Sequence, residues 1–239
     1  MGVLHGATTS AKQWISHLCM SKKILALYGY AMNRDWFRQW LTTIESELAG
    51  RAVFDYPQAP VACPEAEVRA MMSRFQAAVP EARIGAGLNW CWFRATDDKP
   101  RRYIGLHDTL AWLQRYCDEH GPFDGVLGWS QGAVMAAIMA AVQQNGSGYD
   151  FGLKWLVLCG GFMPGDGDVT PWFSSRLPFP SLHVVGKKEP DFLRQRAHKL
   201  HAAFEDAQWL ETPLGHMLPV QYPEYMNRIC NWIAAQLGD

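Results

Sequence analysis

The sequence predicts an α/β fold, a mostly parallel sheet with helices on both faces. Three observations carry that prediction. Short uninterrupted apolar runs such as Ile24–Tyr28 and Trp155–Leu158 have the profile of strands buried on both faces, which is how parallel sheets read. These runs alternate with segments of helical periodicity, as β-α-β connections require. The stretch Gly125–Ala133, GVLGWSQGA, reads as strand, sharp turn and helix, with Ser130 at the bend.

Composition bounds the rest. The chain has 239 residues, 49% of them hydrophobic and 19% charged, enough to bury an extended core. No linker or charge run divides it, so one domain is expected over 22–239, preceded by an N-terminal extension over 1–21 of weak periodicity. A formal net charge of -1 offers no general attraction to phosphate backbones, which argues against a nucleic-acid partner. The six cysteines are scattered with no C-x-x-C pair, which suits buried free thiols in a reducing, cytoplasmic compartment. No run approaches the ~18 apolar residues of a membrane span.

In chain order, Ile24–Tyr28 is the first strand, ending at Gly29-Tyr30. Arg34 to Leu48 then spaces Trp36, Phe37, Trp40, Leu41, Ile44 and Leu48 as one helical face, with Gly50 placed to stop it. Val53–Tyr56 is a second strand, cut off by a loop from Pro57 to Pro64. Glu65 to Ala78 reads as helix and Asn89–Arg94 as an irregular aromatic stretch. Gly105 to Glu119 is amphipathic and leads into the elbow. Beyond the elbow helix come the strand Trp155–Leu158, a Pro-, Gly- and aromatic-rich loop from Met163 to Pro180, and the strand Leu182–Val185. A helix from about Phe192 to Phe204, a strand Gln208–Glu211 and a helix Tyr225–Leu237 complete the chain.

A serine in a strained strand-to-helix turn, flanked by glycines at Gly128 and Gly132, is the G-x-S-x-G nucleophile elbow. Serine needs a base to remove its proton, and His216 is the only histidine in the loop between the last strand and the last helix. Among the others, His183 lies within a strand, His198 and His201 share a helix face and read as solvated rather than as a metal pair, and His107 and His120 are helix-end residues. An acid is available after the strand Leu182–Val185, either Glu189 or Asp191. The chain order nucleophile, acid, histidine is that of the α/β-hydrolase fold. An oxyanion hole needs two N–H donors. The Gln131 amide is one candidate, and the Tyr30 amide, where Gly29 lets the backbone turn toward the site, is the other.

The run Gly121–Ala133, GPFDGVLGWSQGA, resembles the hallmark of the FSH family of serine hydrolases. Leu27–Tyr30, Trp90–Phe93, Tyr103–Leu106, His183–Gly186 and Gly215–Pro219 follow in the family's order, so the likeness runs from about Lys22 to Ala235. It implies an α/β-hydrolase fold, a serine-acid-histidine triad and hydrolysis of carboxylic esters or thioesters without metal or other cofactor. Four positions depart from the family pattern. Tyr28 stands where His is usual, Trp129 where Phe is usual, Leu214 where a glycine precedes Gly215-His216, and Glu189 where the acid is usually Asp. The match at that last position favours Glu189 as the acid, with Asp191 an alternative whose other job is to cap the following helix.

Trp129 adjoins the nucleophile, and Phe162, Met163, Trp172 and Phe173 fall in loops expected at the same sheet edge, so they are read as an apolar acyl pocket or as core. The expected partner is a small-molecule ester or thioester, free or carrier-bound. A hydrolase-like binding protein with little turnover is the reading from another class, motivated by the altered acid position.

Overall fold

A computed structural model describes residues 22–74 and 89–238. The expected N-terminal extension, and the part of the Glu65–Ala78 helix beyond Arg74, lie outside the described residues. In chain order the elements are β1 (Lys22–Leu27), α1 (Arg34–Glu47), β2 (Ala52–Asp55), β3 (Val61–Ala62), α2 (Glu65–Arg74), β4 (Trp90–Cys91), β5 (Arg94–Ala95) and β6 (Tyr103–Ile104). They continue with α3 (Leu106–His120), β7 (Gly125–Trp129), α4 (Gln131–Gln144), β8 (Trp155–Cys159), β9 (Ser181–Gly186), α5 (Asp191–Ala202), β10 (Ala207–Thr212) and α6 (Pro223–Leu237).

Six strands form one sheet in the order β10-β9-β8-β7-β1-β2, every neighbouring pair parallel, with helices covering both faces. The strands are apolar along their length because both faces are covered. Ile24 to Leu27, Val126, Leu127 and Leu156 to Leu158 are all essentially inaccessible. Helix α4 goes further: Gln131 to Val142 are buried without interruption, and the helix packs on β1, β7 and β8 through the middle of the molecule. A helix apolar on all sides is a core helix, not a surface one.

The chain runs from β1 outward to β2, then returns past β1 to β7 and proceeds the other way. Connections therefore leave the carboxyl ends of β1 and β7 in opposite directions, which opens the crevice where open α/β sheets bind ligands. Ser130 follows β7 and Gly29 follows β1.

Part of the hallmark run is structural. Asp124, just before β7, takes the Lys23 backbone N–H at 3.2 Å and the Lys154 ammonium at 2.7 Å, tying together the entrances of β1, β7 and β8. Burial raises its pKa, but Lys154, the Lys23 N–H and Lys22 outweigh that and hold the carboxyl below its ordinary range.

Two details differ from the sequence reading. The loop after β2, the aromatic stretch at 89–94 and the residues just before α3 contain short strands, which form the antiparallel ribbons β3-β4 and β5-β6. Two-residue strands are too short to show a period of two. The second is the start of α5, where Pro190 is the capping residue and Asp191 is the first residue of the helix, with no side-chain capping bond.

Candidate active site

Ser130 sits at φ 54° and ψ -116°, a backbone region that costs about 1–3 kcal/mol for a residue with a side chain. The turn is held from both sides. The Ser130 N–H donates to the Cys159 carbonyl at 2.8 Å and its own carbonyl accepts from Val134 N–H at 3.1 Å. A side chain at position 132 would drive into β1, because an ideal Cβ there lies 2.0 Å from the Leu27 carbonyl oxygen. The elbow glycine is thus required by close approach of α4 to β1.

The Ser130 hydroxyl is 2.8 Å from His216 Nε2. His216 stands in the loop after β10, and its ring lies against Gly160 beyond β8, where an added Cβ would be 2.9 Å from Cε1. On its other side, His216 Nδ1 is 3.3 Å from Glu189 Oε2. That separation suits an ion pair, while its direction leaves Nδ1 without a hydrogen bond among the described residues. Glu189 is 6% exposed, and its other oxygen accepts the Gly186 N–H at 3.2 Å. Asp191 is exposed at the helix start, pointing its role toward the helix dipole. Ser130, His216 and Glu189 are therefore brought together, and Asp191 is outside the cluster.

The loop after β1 crosses the nucleophile. An ideal Cβ on Gly29 would be 3.3 Å from Ser130 Cβ and 2.4 Å from the Trp129 ring. Tyr30 follows, and Ala31 turns the chain with φ 56°. Gln131 opens α4, so its N–H belongs to the unpaired donors of the first helical turn. Gln131 directly follows Ser130 in the chain, and Gly29, the residue before Tyr30, lies against it.

Sequence reasoning missed what braces these donors. The Gln131 side chain, 7% exposed, takes the Trp92 N–H at 2.9 Å and gives a bond to the Phe93 carbonyl at 2.7 Å. Trp92 Nε1 donates to the Tyr28 carbonyl at 2.7 Å. Met32 and Trp90 exchange backbone bonds of 3.4 and 3.0 Å. Segment 89–94 thus ties the loop after β1 to the start of α4. The run Trp90–Phe93 was the available signal, but nothing in its composition names these partners.

Tyr28 is buried. Its hydroxyl accepts from Gln58 Nε2 at 2.6 Å and Ala59 N–H at 2.7 Å, and burial raises its pKa far above the phenol range, so it remains protonated.

Trp129 packs edge-on against Trp40 of α1, centroids 5.0 Å apart, and lies 5.6 Å from the His216 ring. Phe162 lies beneath the Arg196 guanidinium, 4.5 Å from its centroid, and Arg196 Nε donates to the Met163 carbonyl at 3.0 Å. Trp172 and Phe173 are elsewhere. Asn145, at the far end of α4 from Ser130, donates to the Trp172 carbonyl at 2.8 Å, and fourteen helical residues span about 21 Å. The expectation that these two line the same pocket is corrected. Loop 160–180 must run from the carboxyl end of β8 to the amino end of parallel β9, so its later part sits at the opposite sheet edge.

Among the described residues no group of three or more His, Cys, Asp or Glu side chains could hold a metal ion, and no helix is long and apolar enough to cross a membrane.

The fold and the sequence have counterparts in known proteins. A Bacillus cereus carboxylesterase structure matches with a TM-score of 0.58 over 95% of this chain and 100% of that one, at 16% identity, which is a likeness of fold. An esterase OVCA2 from Xenopus tropicalis is 28% identical over 209 residues, 84% of this chain and 88% of that protein. A Schizosaccharomyces pombe dihydrofolate reductase is 29% identical over 210 residues, 84% of this chain, and there the chain spans about half of the relative's length, 45%. The family model described as serine hydrolase (FSH1) matches residues 18–227, from ahead of β1 into α6, and by the extent of that match the chain belongs to the FSH1 family of serine hydrolases.

Proposed function

We propose that the protein is a serine esterase or thioesterase that hydrolyses its substrate through an acyl-enzyme, with Ser130 as nucleophile, His216 as base and Glu189 as the orienting acid. The observation that carries this reading is the 2.8 Å contact between Ser130 Oγ and His216 Nε2, with a buried carboxylate 3.3 Å from the other ring nitrogen. His216 Nε2 takes the hydroxyl proton as Ser130 Oγ attacks the substrate carbonyl carbon. The carbonyl oxygen becomes an oxyanion facing the Tyr30 and Gln131 N–H groups. As that intermediate collapses, the bond to the alcohol or thiol breaks and His216 returns the proton to the departing oxygen or sulfur. Water, deprotonated in turn by His216, attacks the acyl-serine, and the acid leaves with Ser130 restored. No cofactor enters these steps.

Trp129, Phe162 and Met163 support an apolar acyl group, since all three are partly buried aromatic or thioether side chains in segments that border Ser130 or His216. A small molecule, free or attached to a carrier, fits such a site. Fluorophosphonate labelling combined with Ser130→Ala tests the nucleophile. Labelling and hydrolysis of p-nitrophenyl esters are both expected to vanish in the variant while its melting temperature stays near wild type. Near wild-type turnover in the variant would remove Ser130 from the mechanism, and an intact protein that neither labels nor hydrolyses any activated ester would be a binding protein. Comparing p-nitrophenyl esters with acyl-CoA thioesters of matched length then assigns the leaving group.

A further inference from the structure

Tyr30 is held by its side chain. Its hydroxyl donates to Glu67 Oε2 at 3.1 Å. Glu67 projects from α2 and is gripped by Arg94 of β5, whose Nε is 3.0 Å from Oε2 and whose Nη2 contacts Oε1. This fork-to-fork pairing fixes the carboxylate in plane and position in a way a single contact does not. The hydrogen bond with Arg94 is the main cause of a Glu67 pKa below the ordinary carboxylate range, so the group stays an acceptor for the Tyr30 hydroxyl at neutral pH. Val68, the next residue of α2, packs with Ala31, Cys63 and Cys91 around the same turn. The Arg94 arm starts immediately after Trp92 and Phe93, which hold the Gln131 side chain.

We infer that Glu67 is a positioning residue for the oxyanion hole: anchored by Arg94, it holds the Tyr30 hydroxyl and thereby fixes the direction of the Tyr30 N–H that faces the developing oxyanion. Glu67 touches no reacting atom. Its surroundings match that role, since both partners of the ion pair are more than a third exposed and the fold gains little from them, on the order of a kcal/mol or less. An oxyanion donor loses its value when displaced by a fraction of an ångström, because its stabilisation depends on being preorganised.

The inference rests on the proposed role of the Tyr30 amide. Tyr30→Phe keeps that amide and removes only the hydroxyl, whereas Glu67→Ala removes the acceptor. Each is expected to lower kcat about tenfold, short of the hundredfold or more that follows loss of a whole donor, with KM within about twofold. Affinity for an alkyl trifluoromethyl ketone, whose serine adduct carries an oxyanion, is expected to fall by the same factor. The double variant is expected to be no worse than either single one, because both cut the same link. Wild-type kcat and ketone affinity in Tyr30→Phe would overturn the proposal, as would losses that multiply to about a hundredfold in the double variant. Ser130→Ala measured alongside separates the two levels: residual activity there sinks the nucleophile assignment, while an inactive Ser130→Ala with fully active Tyr30→Phe and Glu67→Ala sinks only the positioning role.

Discussion

Glu189 and Asp191 are two residues apart in sequence, and burial distinguishes them. The Glu189 carboxylate is nearly inaccessible between the Gly186 N–H and His216, while Asp191 lies in solvent at the start of α5. The extra methylene of glutamate relative to aspartate lets it reach the histidine from a backbone set slightly farther back. The Nδ1 contact is loosely aligned in the free protein, and under the proposed mechanism it is expected to tighten when substrate binds. Glu189→Gln is expected to lower kcat by between about a hundredfold and ten-thousandfold, since an amide can present the wrong tautomeric demand to the imidazole and cannot stabilise its charge. Asp191→Asn removes only an interaction with the helix dipole, worth about 0.3–1 kcal/mol, and activity is expected to stay within about twofold. Steady-state kinetics of both variants checks the pair; the opposite pattern would assign the acid to Asp191.

At the scale of elements, the elbow depends on how closely α4 approaches β1. Alanine at position 132 would gain about 1 kcal/mol of helix propensity, yet its Cβ would sit 2.0 Å from the Leu27 oxygen and 2.6 Å from the Tyr28 oxygen, both backbone atoms. Backbone cannot rotate out of the way as a side chain can, so the clash outweighs the gain. Gly132→Ala is expected to lower the melting temperature by several degrees, matching a cost of about 1–3 kcal/mol. It is also expected to reduce turnover, because pushing α4 from β1 separates Ser130 from the loop that carries Tyr30. A variant with unchanged melting temperature would show that the helix can shift freely. The same elements explain what was legible. Ile24–Leu27, Gly125–Trp129 and Trp155–Cys159 announced themselves because strands buried on both faces are uniformly apolar, and Ser130, Glu189 and His216 were visible because each follows a strand. The ribbons at 61–62 and 90–95, the bracing by Trp92 and Gln131, and the pairing of Glu67 with Arg94 were not. Apart from β5, which pairs with the nearby β6, their partners lie 27 to 39 residues apart and are brought together only by the tertiary fold. Trp172 and Phe173 were misplaced for a reason the sequence did contain, since a connection between parallel neighbours must carry the chain back across the sheet.

On the scale of the whole molecule, every strand of the six-stranded sheet runs parallel to its neighbours and four of the six are interior, so opening the sheet means unfolding it. His183 lies inside that sheet, on β9 between Leu158 of β8 and Trp209 of β10. It is 1% exposed, with Ser181 Oγ 3.1 Å from its Nε2 and the rings of His201 and Phe204 at 5.1 and 5.3 Å. Burial, and secondarily the charge of His201, holds its pKa down at about 3, against about 6.5 for an unperturbed histidine. A depressed native pKa means that, between those two values, the unfolded chain takes up a proton that the native protein refuses. Stability is therefore fully present above about pH 6.5 and is lost as pH falls, by up to about 1.4 kcal/mol per pH unit for one proton, until the native histidine also protonates near pH 3. Asp124 works in the same direction but in a lower window, beginning only near the ordinary carboxylate pKa, so the range from pH 7 to 5 isolates the histidine contribution. His183→Gln keeps a polar group for Ser181 while removing the titration. Its melting temperature at pH 7 is expected to fall with the loss of ring packing, but the further drop between pH 7 and pH 5 is expected to be smaller than in the wild type. Melting curves of both proteins at the two pH values decide it: parallel losses would mean that the buried imidazole does not set the acid limit of the fold.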